Sequence, residues 1–494
     1  MPEPVRPYWE RSGPPPRPGQ PALLRGATVL SMDPVVGDLP SGDLLIEGGL
    51  IAAVGPDLAE RAGPDAAVVD LAGAILVPGL VDGHRHCWQN AFRRLIPDAD
   101  MAAYMATTHG GMALHYRPED MYAGTLATLA GALDGGVTTV LDLSHNSRTA
   151  AHSDAVLRAY ADAGIRAVHA AAPPNAGDWD EQLPEDLLRL RSAAPELVTV
   201  RLAVDFRRVR PAPELFGWAR DHGFAITVDA MMGPGPSAEV ADWGRAGLLG
   251  PDLTVVHGTD LGPQAWRALA AAGTAVTLAP TSDQQLGLAD GVPPIQRALE
   301  HGIEPALSVD VEISLASDLY AQMRAVLATQ RMHATYEAYH GRGPRAGLIS
   351  TRDVLRYATV CGAGAVGLGA VCGRLAPGLA ADVVVITAED VNNLPLNDAY
   401  GTVVLGTDGR NVDTVLVGGR PRKWRGELVG LDVGRLRGLV HTSRDRLAAA
   451  GGWTLDVTRG GGTTESRYAE VAGYLDDRQH AEPPRPGTGR AGLS

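Results

Sequence analysis

The sequence predicts a (β/α)8 barrel of the TIM type that carries a small β-sandwich domain. Eight short, apolar, β-branched runs recur along the middle of the chain, and most precede an alanine- and leucine-rich helical stretch that ends at glycine. Eight β/α units over roughly 290 residues match the usual size of such barrels. A doubly wound open sheet is the alternative, but the sequence lacks its glycine-rich phosphate turn after the first strand.

The predicted barrel spans residues 75–365. Its eight strand-like runs are AILVPGLVDG, VTTVLDL, IRAVHAAA, LVTVRLAVDF, AITVDAM, LTVVHG, TAVTLAP and PALSVDV. Helical stretches follow several of them, for example EDMYAGTLATLAGALDGG, SDAVLRAYADAG and PQAWRALAAAG.

Further β-type runs lie on both sides of the barrel and predict one composite domain. Segments 22–74 and 366–432 alternate such runs with glycine, proline and aspartate turns, so we expect them to form one β-sandwich together. A helical extension is predicted for 433–474. The proline-rich ends, 1–21 and 475–494, are predicted to be disordered.

Composition limits the classes of partner. The chain has 494 residues, with 43 Lys and Arg against 57 Asp and Glu, which gives a formal net charge of −14. This charge argues against nucleic acid or an anionic membrane as partner and favours a small molecule. Three cysteines are too few for a disulfide framework. With no signal peptide or apolar segment long enough to span a bilayer, we expect a cytoplasmic protein.

Polar side chains follow the predicted strands where a barrel places its reactive groups. His84 and His86 come after the first strand and, because side chains alternate along a strand, point to the same side. Further candidates end other strands: Asp142, His145, Asp205, Asp229, His257 and Asp310. Imidazole and carboxylate together suit one divalent metal ion, with Zn²⁺ the first choice and Fe²⁺ or Mn²⁺ as alternatives.

Each candidate also has a structural interpretation. An isolated His-x-His pair is weak evidence for a metal, and Asp229 could pair with a neighbouring Arg or His instead. His145 could contact substrate or be a solvated residue beside a helix cap at Ser144 or Asn146. Cys87 is expected to point away from the face of its neighbouring histidines and to serve in packing.

Five motifs follow one another along the chain: PGLVDGHRH, LTVVHG, LAPTSDQQLG, ALSVDVEIS and GRLAPGLAADVVVI. Together they resemble the amidohydrolase superfamily, in particular its cytosine deaminase and triazine chlorohydrolase-like branch, and the resemblance covers about 22 to 430. It implies that His84 and His86 bind a single divalent metal with a fifth-strand ligand and Asp310, while His257 orients and helps deprotonate a water molecule. It also implies a homodimer or larger homo-oligomer.

The fifth strand departs from this pattern. The family commonly shows a histidine there and a glutamate three residues later, whereas TVDAMM places Asp229 and Met232 at those positions. Asp229 can still ligate a divalent cation, but a thioether cannot carry a proton as the glutamate does in the deaminases. A standard deamination is therefore less expected, unless Asp260, Asp283 or Glu312 supplies the proton.

Four residues are candidates for substrate binding: Trp88, Gln89, His145 and Asp283. Trp88 and Gln89 directly follow the two histidines, although a tryptophan is more often core. Asp283 follows the seventh strand, where related enzymes recognise substrate.

The expected function is a metal-dependent hydrolase that uses metal-activated water on a small cyclic amide, amidine or N-heterocycle, at a non-peptide C–N bond or a ring carbon. His84, His86, Asp229 and Asp310 hold the metal. His257 polarises the electrophile, and Asp310 acts as general base. Two alternatives stay open: a diverged enzyme with a non-hydrolytic Lewis-acid step, such as cyclisation or dehydration, and a non-catalytic relative that binds a small ligand.

Overall fold

The computed structural model describes residues 13–179, 185–205, 212–342 and 347–458, and these form two sheets with flanking helices. One sheet has eight strands in chain order, and the other is a mixed sheet of nine strands from both ends of the chain. The predicted barrel with a composite β domain is confirmed. The predicted disordered ends lie outside the described residues, except for 13–21.

The mixed sheet runs in the order β17-β16-β15-β14-β5-β1-β2-β3, with β4 paired to β1. Its strands are β1 Ala22–Leu30, β2 Asp38–Glu47, β3 Leu50–Gly55, β4 Ala67–Asp70, β5 Ala74–Pro78, β14 Val383–Thr387, β15 Val412–Val417, β16 Arg420–Trp424 and β17 Glu427–Leu428. The antiparallel pairing of β5 with β14 joins the N-terminal strands to the C-terminal ones.

The barrel strands pair in parallel with their sequence neighbours. They are β6 Leu80–Arg85, β7 Val137–Ser144, β8 Arg166–Ala171, β9 Val198–Asp205, β10 Ile226–Met231, β11 Leu253–His257, β12 Ala275–Leu278 and β13 Ala306–Leu307. Every residue of β6, β7, β8 and β11 is buried. Near-continuous burial explains why these strands are apolar runs rather than alternating ones, since both of their faces are covered.

Backbone hydrogen bonds beyond β13 bring the last strand to the first. The His86 N–H donates to the Asp310 carbonyl at 3.1 Å, and the Asp310 N–H donates to the His84 carbonyl at 3.1 Å. These bonds hold three candidate site residues at the same seam of the barrel.

Helices cover the outside of the barrel and connect its strands. The α-helices are Ala59–Ala62, Met101–Tyr104, Pro118–Asp134, Ala150–Ala163, Glu185–Ala193, Ala212–Asp221, Pro234–Arg245, Pro263–Ala272, Pro280–Leu286, Ile295–Glu300, Leu319–Tyr339, Thr351–Arg356, Gly362–Ala365, Ala399–Gly401 and Val433–Gly451. Short 3₁₀ or π segments are Cys87–Phe92, Met105–His109, Met112–His115, Tyr357–Cys361, Thr402–Gly406 and Gly409–Asn411.

The run AILVPGLVDG forms two strands rather than the single barrel strand that the sequence predicts. Ala74–Pro78 pairs in the mixed sheet and Leu80–Arg85 in the barrel, so the chain changes sheet at Gly79. A Cβ atom at Gly79 would lie 2.0 Å from Thr138 Oγ1, so only glycine fits this crossing. A continuous apolar pattern cannot reveal such a change, because both strands are fully buried.

The predicted C-terminal extension contains the helix Val433–Gly451, and its residues from 459 onward lie outside the described part of the chain. Asp432 caps this helix by accepting a hydrogen bond from the Arg435 N–H at 2.8 Å. Within the described residues, no helix has both the length and the apolar character required to cross a membrane.

Candidate metal-centred active site

Five side chains from four barrel strand ends converge at the mouth of the barrel. His84 and His86 belong to β6 and its end, Asp229 to β10, His257 to β11, and Asp310 follows β13. His84 Nε2 and His86 Nε2 each lie 3.3 Å from Asp310 Oδ1. The sequence prediction that period two turns both histidines to one side agrees with this arrangement.

Asp229 completes the cluster from the opposite side. Its Oδ1 lies 3.7 Å from His84 Nε2 and 3.4 Å from His257 Nε2, and its Oδ2 lies 3.8 Å from His86 Nε2. The structure therefore places the residue that departs from the family pattern among the other candidate ligands.

The backbone is bent to bring these side chains inward. Ala230, His257 and Asp310 have φ of 59°, 71° and 68°, in the left-handed region that residues other than glycine rarely adopt. Such local strain concentrates at functional sites, where the surrounding structure holds it in place.

The donor spacing fits one divalent ion. Two ligands that are each about 2.0–2.2 Å from a tetrahedral ion lie roughly 3.3–3.6 Å apart, and the separations within this cluster are close to that range. His84 is completely buried, and neither of its ring nitrogens makes a hydrogen bond in the described structure. A buried imidazole normally satisfies its nitrogens, so a metal ligand role accounts for His84 better than a packing role.

The histidines also keep both carboxylates ionised. Burial alone would raise the pKa of Asp310, but His84 and His86 hold it well below its usual range. For Asp229, burial again opposes ionisation, and the charges of His84 and His257 together with the hydrogen bond from His257 lower its pKa. Ionised carboxylates are the form that binds a cation.

Asp283 supports His257 rather than facing the cavity. The carboxylate is fully buried, and its Oδ1 accepts a hydrogen bond from His257 Nδ1 at 2.8 Å. This bond fixes the ring so that the other nitrogen, Nε2, faces Asp229. The neighbouring Ser282 Oγ donates to Asp310 Oδ2 at 2.5 Å.

His86 is positioned by β7. Its Nδ1 donates to the Leu143 carbonyl at 3.2 Å, and the following Cys87 N–H donates to Asp142 Oδ1 at 3.0 Å. The Tyr160 hydroxyl donates to the other oxygen of Asp142 at 2.7 Å. Asp142 therefore positions the backbone next to the cluster and is not itself one of the candidate ligands. Cys87 is a buried free thiol.

An open cavity lies above the cluster. Its apolar lining consists of methionines, leucines and one alanine: Met101, Met105, Met232, Leu286, Leu288 and Ala230. Its polar lining beyond the cluster consists of Tyr104, His109, His145, Asn175, Asp205 and Ser282. Met232, at the sequence position where the family pattern has a glutamate, thus contributes a thioether to this lining.

Of the four predicted substrate-binding residues, His145 is the one that lines this cavity. Its ring centroid lies 4.3 Å from that of His86 and 4.8 Å from that of His109. Burial lowers the pKa of His145 well below its usual range, and the two neighbouring imidazoles lower it further.

Trp88 and Gln89 lie behind the cavity wall. Trp88 is 1% exposed, and its ring packs edge-on against His109, Tyr116 and His145. Gln89 is fully buried and donates from Nε2 to the Tyr104 hydroxyl at 2.8 Å. Both residues therefore support lining residues instead of contributing to the lining.

The three acids considered as replacements for the missing glutamate do not face the cavity. Asp283 is bonded to His257, and Glu312 pairs with Arg85 at 2.5 Å and with Arg93. Asp260 is exposed and is not part of the lining.

Sequence reasoning missed Tyr104, His109 and Asn175. Tyr104 and His109 belong to an insertion after β6, and insertions carry no strand-end signal from which to select them. Asp205 ends β9 and is the register partner of Asp229. The strand pattern predicts that Asp205 lies at a strand end, but it does not indicate a role for this residue.

Comparison with known proteins gives consistent relatives. The chain is 26% identical over 435 residues to a 5-methylthioadenosine/S-adenosylhomocysteine deaminase of Pyrococcus abyssi, a match that covers 83% of this chain and 95% of the relative. It is 25% identical over 422 residues to a 5'-deoxyadenosine deaminase of Methanosarcina mazei, covering 81% and 91%.

Solved structures share the fold. An adenosine deaminase from Xanthomonas campestris with bound zinc has a TM-score of 0.75 at 22% identity, over 88% of this chain and all of the other. A mutant atrazine chlorohydrolase from Arthrobacter aurescens, complexed with zinc and atraton, has a TM-score of 0.75 at 24% identity, over 86% and 100%.

The predicted enzyme class, a hydrolase that acts on carbon–nitrogen bonds other than peptide bonds, is confirmed by these relatives together with a family match. The model of the amidohydrolase family matches residues 75–210 and 216–422, which is more than half of the chain. The chain therefore belongs to the amidohydrolase family.

Proposed function

We propose that the protein hydrolyses an amino-substituted N-heterocycle or a related cyclic amidine or amide at the mouth of its barrel. One observation carries the proposal: two imidazoles and two carboxylates converge beneath an open cavity, with histidine Nε2 atoms 3.3–3.8 Å from carboxylate oxygens. The four residues are His84, His86, Asp229 and Asp310. Two imidazoles and two carboxylates form a donor set suited to a catalytic divalent cation.

In this proposal the four residues hold one ion, and zinc is the first choice. When bound, such an ion supplies Lewis acidity that lowers the pKa of a water molecule and polarises the electrophile. Asp310 accepts a proton from the attacking water, while Ser282 holds its second oxygen in place. Asp283 orients His257 so that its Nε2 contacts the electrophile.

The overall reaction balances without another reactant. Water adds to the sp² carbon, the carbon–nitrogen bond breaks, and the nitrogen leaves with a proton taken from that water. Because Met232 cannot carry this proton, another group has to transfer it, and Asp310, which accepts the proton of the water in this proposal, is the first choice.

The curated relatives suggest where to start the search for the substrate. They are named for deamination of adenosine-type compounds, and the cavity of this chain opens directly beside its candidate metal ligands. The apolar lining by three methionines suits a substrate with an apolar substituent. We further propose that the enzyme acts in the cytoplasm as a homodimer or larger homo-oligomer.

Metal analysis and a substrate panel test the proposal. The purified protein is expected to hold close to one equivalent of metal, which the double variant His84→Ala/His86→Ala loses and the surface variant His222→Ala retains. Ammonia release is then assayed with 5'-deoxyadenosine, 5'-methylthioadenosine and aminopyrimidines, ring-opened product with lactams and hydantoins, and chloride release with chlorotriazines.

Each outcome decides between functions. Metal-dependent ammonia release that the double variant abolishes supports the proposal. Full metal content with no release of ammonia, chloride or ring-opened product contradicts it and favours the non-hydrolytic Lewis-acid alternative. Wild-type protein that binds no metal contradicts it and favours a role in ligand binding.

A further inference from the structure

His145 lies at the end of β7, next to the metal-centred cluster but outside it. The residue is 3% exposed, lines the cavity and touches the ring of His86. A buried polar side chain that faces a cavity needs a hydrogen-bond partner, and the part of it that the protein leaves unpaired indicates what a ligand provides.

The hydrogen bonds of His145 fix which nitrogen carries the proton. Its Nδ1 lies 3.0 Å from the Leu143 carbonyl oxygen, which only accepts, so Nδ1 is the donor. In the neutral ring Nε2 is then an acceptor, on the side of the ring away from the bond to Leu143. The cavity therefore contains a hydrogen-bond acceptor held in a fixed orientation.

The same carbonyl holds the neighbouring metal-ligand candidate. Leu143 O also accepts from His86 Nδ1 at 3.2 Å, so one backbone atom positions both imidazoles. The two ring centroids are 4.3 Å apart and His145 lines the cavity, so its ring borders the space directly beside the cluster. A substrate whose reacting carbon lies at the cluster would bring the substituent on that carbon within reach of this ring.

The rest of the lining is mixed. Met101, Met105 and Met232 present thioethers, which are weak acceptors and no donors, and Leu286 and Leu288 are apolar. Tyr104, His109, Asn175 and Asp205 are polar, but it is the ring of His145 that contacts the ring of the candidate metal ligand His86.

We propose that His145 determines specificity by accepting a hydrogen bond from the N–H of an amino group on the reacting carbon. The proposal rests on the proposed function and narrows its substrate class to amino-substituted rings, as opposed to chloro- or alkoxy-substituted ones. A site that hydrogen-bonds a substrate N–H discriminates against analogues without it, because its own buried acceptor is left unpaired.

Matched purine probes test this inference by binding alone. Adenine, purine and 6-chloropurine differ at one carbon, which bears an amino group, hydrogen or chlorine. Their dissociation constants are measured by calorimetry with the metal-loaded full chain. Wild-type protein is expected to bind adenine about tenfold or more tightly than either analogue.

Variants of His145 separate hydrogen bonding from packing. His145→Phe keeps a ring but removes the acceptor, so we expect it to bind the three probes within about twofold of one another. His145→Gln supplies an amide oxygen and is expected to restore part of the preference for adenine. His222→Phe is the matched control: His222 is exposed, and its Nδ1 likewise contacts a backbone carbonyl, that of Trp218 at 2.8 Å.

The outcomes distinguish this inference from the proposed function. Equal or undetectable binding of all three probes by wild type overturns the role of His145, as does unchanged discrimination in a folded His145→Phe variant. Ammonia release is scored separately. Discrimination that depends on His145, without release of ammonia, chloride or ring-opened product from any compound of the panel, rejects the hydrolytic function and leaves the recognition of an amino group standing.

Discussion

Two residues at the end of β10 distinguish this site from the family pattern. Asp229 brings a second carboxylate to the cluster, and Met232 puts a thioether into the cavity lining. An additional anionic ligand makes a metal site less acidifying for bound water and favours harder cations than a three-histidine site does. These two positions are therefore the first at which to alter activity.

Restoring the family pattern at β10 is expected to raise ammonia release. The double variant Asp229→His/Met232→Glu supplies a third imidazole ligand and an acid that can carry a proton to the leaving amine, and general acid catalysis typically contributes about 100-fold or more. The rate of ammonia release from 5'-deoxyadenosine and aminopyrimidines is compared with wild type.

A charge-matched control accompanies that experiment. Met332→Glu adds the same carboxylate at a methionine that is 66% exposed, and it should leave the rate unchanged. A double variant with full metal content and no gain in rate would count against the alignment of TVDAMM with the family motif.

The buried Asp283 is expected to act through His257. Asp283→Asn keeps the size of the side chain but removes the charge that fixes the Nδ1–H form of the ring, and loss of such a support typically costs about 10- to 100-fold in activity or metal affinity. Measurements are kcat and KM on the substrate found by the panel, together with the metal dissociation constant.

Asp221→Asn, at an exposed position on the outer helix between β9 and β10, is the control for this change. A merely structural role for Asp283 predicts a lower melting temperature with kcat unchanged, and that result would contradict the proposed support of His257.

At the scale of elements, the strand pattern predicted most of what positions the site. His84, His86, Asp229, His257 and Asp310 could be selected because polar residues that end apolar runs meet at one rim of a parallel barrel. The direction of Asp283, Trp88 and Gln89 could not be predicted, because it depends on how the chain turns after the strand. The insertion after β6 has no periodicity that would place Tyr104 or His109 in the lining.

The C-terminal helix Val433–Gly451 contacts the first crossover helix of the barrel and the insertion that precedes it. Asp120, on the helix Pro118–Asp134, is 2% exposed and accepts hydrogen bonds from Ser443 at 2.8 Å and from Arg446. Trp453, just beyond the C-terminal helix, packs edge-on against Phe92 and His115, next to the insertion that lines the cavity. The helix thus braces one wall of the site from outside.

Removing the cation from this contact is expected to destabilise the protein. Arg446→Ala leaves the buried Asp120 carboxylate with the hydroxyl of Ser443 and the more distant, exposed Arg117 at 3.6 Å. Because Arg446 is itself partly exposed, we expect a loss of about 2 kcal/mol of unfolding free energy. Urea unfolding provides the measurement, and Arg444→Ala, in an exposed pair on the same helix, should change stability by less than about 0.5 kcal/mol. Equal effects of the two substitutions would show that the contact with Asp120 is unimportant.

At the scale of the whole molecule, the barrel and the mixed sheet are joined by a buried ion pair. Arg166 begins the barrel strand β8, and its Nε and Nη2 donate to the two oxygens of Asp382 at 2.9 and 3.1 Å. Asp382 precedes β14 and also accepts from the Gly418 N–H at 2.7 Å, in the turn between β15 and β16. One carboxylate therefore links a barrel strand to the C-terminal strands of the mixed sheet.

Breaking this link should lower global stability without altering the metal site. Asp382→Ala leaves the Arg166 guanidinium buried and unpaired and the Gly418 N–H without its acceptor, and removal of one partner from a buried pair typically costs about 3–5 kcal/mol. We expect a clearly lower urea midpoint while metal stoichiometry in native buffer stays unchanged, because Asp382 has no contact with the cluster. The control Arg297→Ala removes an exposed helix pair with Glu300 and should cost less than about 1 kcal/mol. If Asp382→Ala unfolded at the wild-type midpoint, the pair would not couple the two sheets; if it lost metal with unchanged stability, the mixed sheet would instead act on the barrel mouth.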